Sequence, residues 1–171
     1  SNDKVIYCST FSKSFAPSIR IAYMILPETL LAIYKKNFSS YACSVSRFEQ
    51  HVLYRFLKEG HYNRHLNRMR TIYRGRKEKL TEELRSLPQS NKIMIIGENA
   101  GLHLLLQIGN GMNEAQLVKS AAQVGVRVYG LSQYCPVATP IPSNWVVLGY
   151  AALEQGEIEA AVRLLAKAWF E

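Results

Sequence analysis

No apolar run in the sequence approaches the ~18 residues that a membrane span requires. Its first residues show no basic-then-apolar leader. Both absences point to a chain that works in the cytoplasm, away from the membrane. Cysteine is scarce: Cys8, Cys43 and Cys135 are odd in number, widely spaced and outside any CxxC or Cys/His pairing. This argues against a disulfide frame and a zinc site, so the three are expected to be reduced, buried thiols, with no metal bound. Acidic residues are outnumbered 13 to 21 by Lys and Arg, for a formal charge of +8. Internal repeats and low-complexity tracts are missing as well.

A chain of 171 residues, 48% hydrophobic and 20% charged, has the composition of a globular protein with one domain or two small subdomains. Alternation predicts strands in "KVIYCST" and "IRIAYMIL", separated by a loop that holds Lys13 and Pro17. "PETLLAIYKKNF" places Pro27 and Glu28 in a first helical turn. "SRFEQHVLYRFLKEG" places Ser46 and Glu49 in capping-box spacing, with Gly60 as the stop. A long helix then runs to Pro88. Beyond it the texture changes to short strands, "KIMII", "GLHLLLQI", "VRVYGL" and "WVVLGYAAL", with helices over about 113–123 and 157–169. The expected organisation is an α/β segment over 3–87 and a smaller α+β subdomain over 88–171. "YCPVATPIPSN" is expected to be an exposed loop, and the initial "SN" has the look of a cloning remnant.

Much of the positive charge lies in "RHLNRMRTIYRGRKEKLTEELR", where basic residues interleave with Leu66, Met69, Ile72, Tyr73 and Leu80 at helical spacing. This is an amphipathic helix with a basic face. Nothing like a helix-turn-helix accompanies it, so sequence-specific DNA recognition by this chain is not expected. His61 and His65 share a helix face without a carboxylate to complete a metal pattern, and His103 reads as a core histidine.

The stretch "TFSKSFAPSIR" raises a chemical question, because a lysine at the end of a buried strand needs a partner or a function. A phosphate-binding P-loop requires glycines before the lysine, and none precedes Lys13. A Ser-x-x-Lys nucleophile pair fails because Thr10 stands three residues before it and the companion motifs are missing. A lysine that forms an imine with an aldehyde cofactor fits better. Such a cofactor also needs a phosphate anchor, a hydroxyl donor with a guanidinium, and Thr10 and Arg20 supply those groups.

"TFSKSFAPSIRIAYMILP" resembles the cofactor-lysine segment of the fold type I, pyridoxal 5'-phosphate-dependent aminotransferases. The likeness is greatest to the MocR-type transcriptional regulators, which join a GntR-type winged helix to an aminotransferase-like domain. "RHLNRMRTIYRGRKEKL", "AGLHLLL" and "LGYAAL" follow in matching order, so the resemblance covers about 3–169. It implies the end of a large domain, a long linking helix and a small C-terminal domain. It assigns Lys13 to the cofactor aldehyde and Thr10 and Arg20 to the phosphate, with Ser12 in the same cup. It further implies a homodimer, a small amine or amino-acid effector, and DNA contact only through an upstream winged helix.

The family's residues for the pyridine ring come earlier in the chain than Ser1. A fragment without them is expected to bind the cofactor poorly, to turn over little substrate and to self-associate through its open strands. The small-domain arginine that clamps a substrate carboxylate in many aminotransferases is replaced by Val146 and Val147, and Arg127 is the nearest alternative. Two readings stay open: the effector-sensing and dimerisation part of a regulator, and part of a free-standing class I/II aminotransferase.

Overall fold

The computed structural model describes residues 4–16, 18–99, 101–135 and 142–171. Pro17, the initial "SN" and most of the expected "YCPVATPIPSN" loop, residues 136–141, lie outside that set. The chain divides into two compact units, Ser1–Met69 and Arg70–Glu171. The division falls inside the long helix, whose second half carries Leu80 and Leu84 into the C-terminal core.

In the first unit, β1 (Tyr7–Thr10) and β2 (Ala22–Ile25) form an antiparallel ribbon, with Tyr7 opposite Ile25 and Thr10 opposite Ala22. Then follow α1 (Glu28–Phe38), α2 (Arg47–Lys58) and the start of α3 (His61–Ser86). Ser46 caps α2 as expected. Its hydroxyl accepts the Glu49 N–H at 3.2 Å, and the Glu49 carboxylate accepts the Ser46 N–H at 3.3 Å. These bonds satisfy two helix-end donors that would otherwise depend on water. Gly60 separates α2 from α3 at φ +74°, a conformation that a side chain would strain.

The expectation of buried strands around Lys13 is corrected here. Every residue of β1 and β2 except Ser9 is exposed. A two-stranded ribbon has no second layer of its own, and among the described residues of this unit only Ile21 and Leu53 are in the buried hydrophobic set. The same lack of cover leaves Cys8 and Cys43 exposed, and Cys135 of the second unit is half-buried, so the cysteines are not the buried thiols expected from their scarcity.

The second unit has a core. Strands β3 (Ile93–Ile96), β4 (His103–Ile108), β5 (Tyr129–Gly130) and β6 (Trp145–Gly149) form an antiparallel sheet in the order β3-β4-β6-β5. Leu104, Leu106 and Ile108 alternate onto one face of β4, beside Val146 and Leu148 of β6. Against them pack Leu117 and Ala121 of α4 (Glu114–Gln123) and Ile158, Val162, Leu165 and Trp169 of α5 (Gln155–Phe170). The spacing of those four α5 residues follows one helix face. Each such side chain contributes roughly 1.5–3 kcal/mol on burial. The Trp169 indole N–H donates to the Leu117 carbonyl at 3.1 Å, so its polar atom is not stranded in the core.

Strand "VRVYGL" shrinks to Tyr129–Gly130. The Glu114 carboxylate accepts the Ser132 N–H at 3.0 Å and the Ser132 hydroxyl, and turns the chain into a short 3-10 helix over Leu131–Tyr134. A Cβ at position 130 would run into the Glu114 side chain, which would have to shift from its present bonds to Ser132. His103 is exposed rather than in the core, because it starts β4 on the sheet face that the helices leave open.

Candidate functional site

The loop between β1 and β2 closes on the backbone. The Phe11 N–H donates to the Ile21 carbonyl at 2.9 Å and the Phe15 N–H to the Phe11 carbonyl at 2.8 Å. Two aromatic anchors flank the Ser12-Lys13-Ser14 turn. Phe15 lies 4.4 Å from Phe56 and edge-on to His65, and Phe11 lies 5.8 Å from Tyr62 and 5.6 Å from Tyr23, between ring centroids. The Tyr62 hydroxyl donates to Ser14 Oγ at 2.8 Å and ties the turn to α3 within the same unit. Sequence reasoning passes over Ser14 and Tyr62, since 48 residues separate them and neither belongs to a spaced motif.

Three of the four expected site residues come together. Thr10 Oγ1 donates to the Ile21 carbonyl at 3.1 Å and accepts the Ser12 N–H at 3.2 Å. Ser12 Oγ donates to the Ile19 carbonyl at 2.7 Å and accepts from Arg20 Nη1 at 3.3 Å. Lys13 stands beside them, exposed, and among the described residues no hydrogen bond or ion pair holds its ammonium.

The donor chemistry suits the phosphate and the aldehyde of a phosphorylated pyridoxal. An exposed guanidinium with most of its N–H groups unused can take two phosphate oxygens. The hydroxyls of Thr10 and Ser12 now donate to carbonyls, but their protons rotate to suit a new acceptor. The primary amine is not committed to a carboxylate among the described residues. No group of three or more His, Cys, Asp or Glu among the described residues could hold a metal ion.

The profile of the aminotransferase class I and II family matches residues 1–165. The chain belongs to that family. The uncharacterized HTH-type transcriptional regulator YhdI of Bacillus subtilis is 36% identical over 168 residues, which are 98% of this chain and 35% of the relative. The probable rhizopine catabolism regulatory protein MocR of Rhizobium meliloti is 28% identical over 97% of this chain and 33% of its own length. Among solved structures, the α-aminoadipate aminotransferase LysN of Thermus thermophilus superposes with a TM-score of 0.78 at 24% identity, over 96% of this chain and 41% of that one. The chain thus spans about a third of the length of these curated regulators. LysN shows the shared aminotransferase fold.

The β1–β2 ribbon, the long helix and the antiparallel sheet of this aminotransferase-family chain are the mixed α/β and α+β architecture that the sequence implied. Among the described residues, no helix is long and apolar enough to cross a membrane. Arg127, the fallback for a substrate carboxylate, is exposed just before β5, while Val146 and Val147 are buried in β6.

Proposed function

We propose that this chain is the C-terminal part of the aminotransferase-like, effector-sensing and dimerising domain of a MocR/GntR-type transcriptional regulator. The observation that carries this reading is similarity along nearly the whole chain to HTH-type regulators, 36% identical for YhdI against 24% for LysN. The missing carboxylate arginine at Val146 and Val147 supports it. DNA contact then belongs to an upstream winged helix, and the partners are a second copy and a small amine or amino acid. The cytoplasm is the compartment that suits a regulator.

Pyridoxal 5'-phosphate is the proposed cofactor, the class of group that LysN carries as a phosphopyridoxyl-leucine adduct. When bound, it supplies an electrophilic aldehyde carbon and an electron-withdrawing ring. Arg20 would hold the phosphate, with Ser12 and Thr10 turning their hydroxyls to it. Ser12 already touches the guanidinium and thereby orients it. Lys13 is the nucleophilic amine, and Phe11 and Phe15 fix the turn that presents it. In such a regulator the effector shifts an equilibrium between DNA-binding states by competing for what Lys13 holds.

Operator binding by the polypeptide that contains this chain should change when the cofactor is added. Lys13→Ala should abolish both that change and the borohydride-fixed adduct. Trapping that persists on Lys13→Ala would overturn the site assignment. Steady conversion of an amino acid to its keto acid, with no operator response, would favour a free-standing aminotransferase.

A further inference from the structure

The second half of α3 carries a feature unrelated to the Lys13 loop. Arg70, Tyr73, Arg74 and Lys77 line a cleft of about 430 Å³ with Tyr150 and the Glu98 segment, all within the second unit. Arg70 and Arg74 are exposed, one helical turn apart, and neither has a hydrogen bond or ion pair among the described residues. Two like charges at that spacing destabilise a helix unless an anion answers them. Lys77 adds a third, its Nζ donating to the Glu98 backbone carbonyl at 3.0 Å. The one carboxylate in the cleft, Glu98, pairs through Oε1 with Arg85 at 2.8 Å and makes no ion pair with Arg70, Arg74 or Lys77.

The geometry points to a binding site for a compact diphosphate, a nucleoside diphosphate or related pyrophosphate ester, on Arg70, Arg74 and Lys77. The row extends about 6 Å from Arg70 to Arg74 and about 10 Å to Lys77 along the helix axis. That is longer than one phosphate and within arginine reach of two linked ones. Tyr73, half-buried, borders the cleft, and the buried Tyr150 at its base is fixed by its hydroxyl bond to the Gly101 carbonyl at 2.8 Å. The patch is also bounded. The next groove along α3 mixes Glu78 and Glu82 with Lys77 and Arg85, so the unbroken positive row does not run on past Lys77. A nucleic-acid backbone is therefore the poorer ligand.

The test is calorimetric titration of the 171-residue chain at low salt with inorganic pyrophosphate and with ADP. The Arg70→Ala/Arg74→Ala double variant removes side chains that hold nothing else in place. It should weaken pyrophosphate binding by at least about tenfold. Arg64→Ala/Arg68→Ala, which removes the same charge outside the cleft, should change it by less than about threefold, as should Arg20→Ala. Equal losses in the two double variants would reduce the effect to net charge and overturn the site. Loss on Arg20→Ala alone would place the anion at the Lys13 loop instead. Duplex DNA that displaced pyrophosphate through Arg70 and Arg74 at lower concentration would overturn the compact-ligand assignment.

Discussion

Tyr150 is 3% exposed, and burial raises its phenol above the ordinary tyrosine value. The folded state therefore favours the neutral phenol. Its contribution is complete below the unfolded value near 10 and is lost as pH rises through the higher folded value. Tyr150→Phe should flatten the stability decline of the second unit above about pH 10 while leaving the profile near pH 7 parallel to the parent's. Urea midpoints measured across that range check it, and an unchanged alkaline decline would sink the idea. At this scale the sequence was legible where chemistry depends on spacing: Thr10, Ser12 and Arg20 do meet around one turn. Exposure was not legible, because it depends on what covers a residue. His103 and the Lys13 strands were read as buried from their apolar neighbours and Cys8 from the scarcity of cysteine, and none of these reports a missing layer.

Elements with a period or a cap in their sequence came through to within a few residues. Helix α4 is an example: Asn113 stands as its N-cap, its side chain accepting the Gln116 N–H at 3.0 Å while Gln116 accepts the Asn113 N–H at 2.9 Å. The inward face carries Leu117, wholly buried against α5. Packing should outweigh capping here. Asn113→Ala is expected to cost about 1 kcal/mol and Leu117→Ala about 2–5 kcal/mol, read from urea midpoints at constant slope. A cap variant as damaging as the core variant would mean that α4 is held mainly by its own end. The 3-10 turn at Leu131–Tyr134 was invisible beforehand, since it arises from Glu114 reaching 18 residues along the chain to Ser132.

For the molecule as a whole, apolar residues are shared unequally between the units. The second holds a continuous core, while the first leaves Val5, Ile6, Tyr7, Tyr23, Met24 and Ile25 in solvent on a ribbon with open edges. Such edges accept further strands. The chain should self-associate in sedimentation runs at rising concentration, and Ile6→Lys with Ile25→Lys should shift it towards monomer. A strictly monomeric parent across the range would show that the ribbon is tolerated bare. This inequality also acts in time. Synthesis proceeds from the amino end, so the ribbon leaves the ribosome while the residues of the C-terminal core are still untranslated. At roughly 5–20 residues per second, about a hundred residues take on the order of 5–20 s. For that interval the nascent chain presents an apolar ribbon with no core of its own behind it, and a holding chaperone would find its binding site there before the protein has finished being made.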